Sequence, residues 1–220
     1  MSRILFATSR QALKSRVART MSKAFATQDF YRHGLRSLSA ENNASGTMEK
    51  AMQRLGSVAL QDMPGPSNFV KTQSVMYDMD GKQRRWDVVQ SHSSVGVVVF
   101  HTELQALVLV RQFRPAVYAT HLRDAQAHSR PDPPLSVGFC HELCAGIIDK
   151  EKSLEEIAHE EVLEETGYNA PAQSMQPVVT YISAVGTGGS THHMFACQVD
   201  EGMRNSGGGG LADAGEAIEI

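Results

Sequence analysis

A chain of 220 residues that is 41% hydrophobic and 20% charged holds enough apolar material for one good core plus appendages, with the composition of an ordinary globular protein. No apolar run approaches the roughly 18 residues of a membrane helix, so no membrane-spanning helix is expected. The net charge of -3 is uneven: residues 1–47 hold eight Lys and Arg against Asp29 and Glu41, a balance of +6, and the rest carries -9.

The basic segment 1–47 is rich in Arg, Ser and Ala, and its Ile4, Leu5, Leu13 and Val17 can line one helix face. This is the pattern of a mitochondrial transit peptide; a poorly ordered extension, or a start at Met21 or Met48, is the alternative. The cytoplasm is the expected location and mitochondria the alternative. The basic residues are scattered and lack aromatic partners, so no nucleic-acid partner is expected. Cys140, Cys144 and Cys197 are odd in number and lack a paired C-x2-C, which argues against a disulfide framework or structural zinc and for a reducing compartment.

Met48 to Gly65 reads as a weak helix or loop, broken by Pro64, Gly65 and Pro66. Phe69 to Tyr77, the Asp80-Gly81 turn and Gln83 to Gln90 form a hairpin. Val95 to His101 and Leu107 to Phe113 are near-continuous apolar runs, as in strands buried on both faces. Arg111 and Arg114 stand at the end of the second run, and guanidinium groups suit a diphosphate through paired hydrogen bonds. Arg114 is the favoured contact because Pro115 stiffens the chain beside it; one of the two is expected to be a surface or salt-bridged arginine. Residues 120–136, with Pro131, Pro133 and Pro134, read as a long surface insertion.

Val137 to Ala145 reads as a strand, with Cys144 a buried thiol rather than a nucleophile, followed by a turn at Gly146. Ser153 and Glu156 form a capping box and Gly167 supplies a left-handed end, so a helix is expected from about Leu154 to Thr166. Leu154, Ala158 and Val162, with Ile157, form its core stripe, while Glu161, Glu164 and Glu165 share a neighbouring stripe. Like charges at this spacing destabilise a helix by roughly 0.2–0.5 kcal/mol per pair. A hard cation with oxygen ligands converts that repulsion into coordination, and the strand-loop-helix junction favours this over a merely solvated acidic face.

Further on, Gln176 to Ser183 and His192 to Val199 read as strands separated by Gly186, Thr187, Gly188 and Gly189. That loop lacks the lysine and spacing of a phosphate loop and reads as a flexible rim. His192 and His193 point to opposite faces of a strand and cannot readily share a metal. Gly207 to Gly210 reads as a second flexible piece, and Leu211 to Ile220 as the start of another strand. Its alternation stops at the third apolar residue, so a longer natural protein is expected.

From Gly146 to Gly167 the chain resembles, without a gap, the Nudix hydrolase signature G-x5-E-x7-R-E-U-x-E-E-x-G-U, in which U is a bulky aliphatic. Lys152 stands where the family has Glu, Glu160 where it has Arg, and Tyr168 departs mildly at the last U. In the family that Glu and Arg brace the loop and orient the metal ligands. With the signs exchanged, Lys152 and Glu160 are expected to make the same brace with reversed polarity, their charged atoms within about 4 Å. Trp86-Asp87, Leu107 to Val110 leading into Arg111 to Tyr118, Glu142 to Gly146, and Gly207 to Leu211 are similar to the uridine diphosphate glucose pyrophosphatase branch, over Met48 to the end.

The resemblance implies an α/β (α+β) fold: a Nudix α/β/α sandwich with a mixed sheet at 93–220, a β-rich dimerisation region at 48–92, and the extension 1–47. It implies that Glu161 and Glu165 ligate magnesium, with manganese the alternative, that Glu164 lies close enough to join them, and that the Ala145 carbonyl completes the shell. Glu161, Glu164 and Glu216 are the catalytic candidates, Glu216 matching a late-loop carboxylate that binds metal or activates water. Arg111, Arg114 and Trp86 are the substrate-binding candidates. The implied reaction takes UDP-glucose and water to UMP and glucose 1-phosphate on a homodimer. ADP-ribose hydrolysis is the rival reaction, and a module that binds nucleotide sugars without turnover is the rival from another class.

Overall fold

A computed structural model describes residues 55–67, 69–211 and 217–220, all within the unit Gly46–Ile220. The basic segment 1–47 with its targeting pattern, residues 48–54, Asn68 and the stretch from Ala212 to Glu216 lie outside the described residues. No regular element forms over residues 55–67.

The hairpin forms as expected, with β1 (Lys71–Met79) and β2 (Lys82–Gln90) in antiparallel register from Lys71↔Gln90 to Met79↔Lys82. Asp80 at φ 53° and Gly81 at φ 70°, both in the left-handed region, make a two-residue turn whose twist matches the right-handed twist of the flanking strands. Val75, Met76, Tyr77, Met79 and Trp86 are all exposed on it.

The mixed sheet is built around β3 (Ser94–His101). β9 (Thr191–Val199) runs parallel to it on one edge, and β8 (Gln176–Ile182) pairs antiparallel with β9. The other edge is shared, β4 (Ala106–Val108) pairing with Val99 to His101 and β7 (Cys144–Ile147) with Ser94 to Val97. This sharing corrects the expectation of one strand over Leu107 to Phe113. Continued along β3, that strand would need the positions opposite Val97 and Val95, which Cys144 and Gly146 occupy. The chain therefore leaves the sheet, and β5 (Val110–Phe113) forms a separate ribbon with β6 (Phe139–Glu142).

The core lies on one face of the mixed sheet. Val95, Val97 and Val99 of β3, Phe195, Cys197 and Val199 of β9, and Cys144 of β7 meet Ile157, Ala158 and Val162 of the glutamate-bearing helix. On the opposite face Ser94, Val98 and Phe100 are half-buried, so β3 is fully buried on one face rather than on both. All three cysteines are free thiols.

The expected insertion at 120–136 is in large part helical: α1 spans Pro115–Ala127. Pro115 sits at its first turn, where its missing N–H costs nothing, and Tyr118, Leu122 and Ala125 recur at helical spacing and are buried. The Tyr118 hydroxyl donates to the Pro133 carbonyl at 3.0 Å, tying the proline-rich return to the helix. No helix among the described residues is long and apolar enough to cross a membrane.

Candidate active site

The glutamate helix starts where its cap dictates. Ser153 Oγ accepts from the Glu156 N–H at 3.3 Å, and Glu156 Oε2 accepts from the Ser153 N–H at 2.9 Å. The Ser153 hydroxyl also donates to the same Oε2 at 2.7 Å, and this bond first and the Ser153 N–H second hold the Glu156 carboxyl below its ordinary range. α2 runs over Leu154–Glu161 and continues without a break as a π-helical turn over Val162–Thr166, ended by Gly167 at φ 77°. A side chain at Gly167 would also collide with the Ser206 carbonyl. The span matches the expected helix, but its last turn is wider. A π turn is rare and recurs at functional sites, and here it carries Glu164 and Glu165 off the plain α-helical stripe shared with Glu161.

Glu165 ends up 5% exposed, its Oε2 accepting from the Ala145 N–H at 3.1 Å. Glu161 and Glu164 are half-buried. Glu161 lies over Gly146, where a Cβ would overlap its carboxyl group. Gly146 is thus not the turn expected of it; it is a residue of β7 whose lack of a side chain makes room for the glutamate. Two carboxylates are seated over consecutive residues of one strand.

The Gly207 to Gly210 segment is pinned rather than a loose connector. Gly209 N–H donates to the Glu165 carbonyl at 3.0 Å and Gly210 N–H to the Glu164 carbonyl at 3.1 Å. Gly208, Gly209 and Gly210 have φ of 64°, 109° and 74°, and Gly208 passes so close to the Glu165 carbonyl that no Cβ would fit. Ile218 N–H returns to the Gly209 carbonyl at 3.2 Å. Gly209, bonded to both Glu165 and Ile218, thus brings together the described residues on either side of 212–216, and Glu216 itself lies outside the described residues.

On the solvent side, Glu160 takes both lysines of the preceding loop. Lys152 Nζ bonds its Oε1, and Lys150 Nζ lies 3.1 Å from its Oε2. The reversed brace forms, with Lys150 as a second arm that the signature comparison gave no reason to expect. The lysine hydrogen bonds, that of Lys152 first, hold the Glu160 carboxyl below its ordinary range.

Arg114 and Arg111 are both ion-paired. Arg114 Nε lies 2.9 Å from Glu142 Oε1, and its Nη2 lies 2.6 Å from Oε2. Arg111 Nη1 is 3.8 Å from Glu219 Oε2, and the two residues also exchange backbone hydrogen bonds of 2.6 and 2.9 Å. Arg111 therefore tethers the C-terminal segment, and the expectation that one of the two is set apart as a salt-bridged arginine is corrected: both are salt-bridged, Arg114 the more tightly. Glu142 escaped residue-level reading because its role depends on a partner 28 residues earlier, across the β5–β6 ribbon. Trp86 stands half-exposed on β2 and donates its indole N–H to the Gly186 carbonyl at 2.8 Å, while Val89 N–H donates to Thr187 at 2.6 Å. The glycine-rich 186–189 loop thus anchors the hairpin.

Cys144 is fully buried, and burial, followed by the neighbouring Glu165 charge, pushes its thiol far up, which rules it out as a nucleophile. His192 pairs with Ser94 at 2.7 Å and His193 with Thr180 at 3.1 Å, separate partners as the strand alternation requires. Among the described residues no group of three or more His, Cys, Asp or Glu side chains converges on one point. The fit to a hard cation rests instead on the all-oxygen character of Glu161 and Glu165, which are seated over adjacent residues of β7.

No family model matches the chain. It is 38% identical over 182 residues to the uridine diphosphate glucose pyrophosphatase of Bos taurus, covering 77% of this chain and 82% of that protein. The Mus musculus protein of the same name is 37% identical over the same extent. A GDP-mannose pyrophosphatase of Cronobacter sakazakii is 28% identical over 158 residues, 70% of this chain and 73% of its own length. At this identity and coverage, and with a capped glutamate helix set against a mixed sheet, the chain belongs to the Nudix hydrolases, enzymes that act on acid anhydrides.

Proposed function

We propose that the protein hydrolyses the diphosphate linkage of a nucleotide sugar with the help of a divalent cation, magnesium or in its place manganese, and that UDP-glucose and water give UMP and glucose 1-phosphate. The observation that carries this reading is Glu165, a buried carboxylate held by the Ala145 amide, beside Glu161 over Gly146. An amide donor leaves a carboxylate its charge, where a lysine would have cancelled it, and two such groups over adjacent strand residues are what an oxygen-preferring cation takes. Glu161 and Glu165 would hold the ion, with Glu164 and the Ala145 carbonyl as further ligands. Bound there, the cation polarises the phosphoryl oxygens and lowers the pKa of water.

The remaining work falls to side chains. Arg114 donates to the diphosphate oxygens and orients them, with Arg111 and Trp86 as the other substrate contacts. As the water oxygen bonds to phosphorus and the bridging P–O bond breaks toward the departing phosphate, a carboxylate takes the water proton; Glu161, Glu164 and Glu216 are its candidates. Choice of UDP-glucose follows the name shared by the two relatives at 37–38% identity. GDP-mannose is the second reading, favoured by the weaker bacterial relatives of that name. Initial rates on UDP-glucose, GDP-mannose and ADP-ribose, with magnesium present and chelated, decide between them. UDP-glucose should lead in kcat/KM by at least about tenfold; a lead by another sugar reassigns the substrate, and turnover undiminished by chelation removes the cation.

The same reading makes the enzyme a homodimer. A two-stranded ribbon is marginal by itself in water, and β1–β2 exposes Val75, Met76, Tyr77, Met79 and Trp86, as β8 exposes Val179, Tyr181 and Ile182. Sedimentation at micromolar concentration should give twice the chain mass, and a monomer there would remove the dimer.

A further inference from the structure

Arg114 sits just past the end of β5, its N–H bonded to the Gly138 carbonyl at 2.7 Å, and is the residue that enters α1 ahead of Pro115. Glu142 pairs with Val110 at the other end of the β5–β6 ribbon. By strand alternation Val110, Gln112 and Arg114 share a ribbon face with Glu142 and Cys140. Four residues of strand separate the two charged groups along the ribbon, roughly 13 Å at the usual rise. Their side chains must both extend along it to meet, yet they meet at 2.6 and 2.9 Å. An extended arginine has many rotamers, and a bidentate carboxylate selects one of them.

The direction selected matters. Glu142 begins the run that continues through Cys144 and Ala145 to Gly146, so it brings the guanidinium toward the β7 residues on which Glu165 and Glu161 are seated. It also engages the side edge of the guanidinium, Nε and Nη2, so that the five donors are divided and Nη1 stays outside the pair.

We propose that Glu142 is a positioning residue, which fixes Arg114 so that the end of its guanidinium meets the diphosphate of the substrate. This rests on the assignment of Arg114 as the diphosphate contact. The opposite role, a carboxylate competing with the diphosphate for Arg114, predicts the opposite sign in KM and is excluded or accepted by the same experiment.

The experiment compares the full chain with Glu142→Gln, Glu142→Asp, Arg114→Ala and the double variant Glu142→Gln/Arg114→Ala, in UDP-glucose kinetics with magnesium and in calorimetric titration with UDP, a readout independent of turnover. The expected result is KM and UDP dissociation constants raised about tenfold by Glu142→Gln, with kcat changed less than about threefold, as for loss of a charged hydrogen bond felt equally in ground and transition states. The shorter Asp should fall between, and the double variant should be no worse than Arg114→Ala alone. Arg114 is 44% exposed, so its loss of a partner should barely move the melting temperature. Additive single effects, or a KM unchanged or lowered in Glu142→Gln while Arg114→Ala raises it, overturn the positioning role. Unchanged KM and UDP affinity in Arg114→Ala remove Arg114 from the diphosphate itself, a separate failure that lies with the proposed function.

Discussion

Two glutamates five residues apart on one helical segment are treated in opposite ways. Glu165 is 5% exposed and is held by an amide N–H of β7, a donor without net charge. Glu160 faces solvent at 24% exposure and takes two ammonium groups, from Lys150 and Lys152. Under the proposed function Glu165 attracts a cation, and an amide donor fixes its position without taking up its charge as a bonded ammonium would. A carboxylate whose task is to hold a loop gains from full neutralisation. Under the proposed function the difference separates a glutamate placed for chemistry from one that holds a loop, which charge counting alone could not do.

The largest effect that should separate the two classes is Glu165→Gln against Glu160→Gln. The first keeps the volume and the acceptor for Ala145 but removes the charge, and kcat should fall by at least about 10²–10⁴-fold with circular dichroism unchanged. The second should cost less than about tenfold, because it touches an exposed ion pair. Comparable losses in both would erase the distinction. Next in size is Gly146→Ala. Its Cβ would overlap the Glu161 carboxyl, so either the glutamate or the strand must move. Such overpacking costs about 1–3 kcal/mol of stability, and the displaced ligand should also raise the magnesium concentration needed for half-maximal rate. A variant with normal magnesium response would mean that Glu161 does not work from its place over Gly146.

How much of this was legible in the chain follows from the range of each interaction. The limits of the glutamate helix can be read because Ser153, Glu156 and Gly167 act within a few residues of their own positions. The π turn cannot, because it accompanies contacts with Ala145, 20 residues earlier, and with Gly209 and Gly210 further on. Gly146 shows the same limit: a glycine between a strand and a loop suggests a turn, while its actual constraint is a carboxylate approaching from another element. The split of Leu107 to Phe113 into β4 and β5 is set by β7 competing for the same edge of β3. The α1 helix is masked differently, since the prolines at 131, 133 and 134 mark a surface segment that directly follows the helical spacing of Tyr118, Leu122 and Ala125. The candidate site was legible as a set of residue types through the signature, but Glu142, Lys150 and the anchoring of Gly207 to Gly210 needed the fold.

The smallest expected effect is the most specific test of the lysine brace. The Glu160 carboxyl is held below its ordinary 4.5, so the brace contributes above that value and its contribution is lost as pH falls through the depressed one. Lys150 is raised above 10.5, so its arm contributes below that value and is lost as pH rises through the raised one. The melting-temperature difference between wild type and Glu160→Gln should therefore be flat between about pH 5 and 10 and shrink outside that window, with a plateau worth at most about 1 kcal/mol that weakens in salt. Restoring the family polarity with Lys152→Glu and Glu160→Arg together should recover part of the loss seen in either single variant. Recovery should be incomplete, because Lys150 would then stand against the new arginine. Full recovery would reduce Lys150 to a bystander, and no recovery would mean that the loop depends on the lysines for something other than their charge.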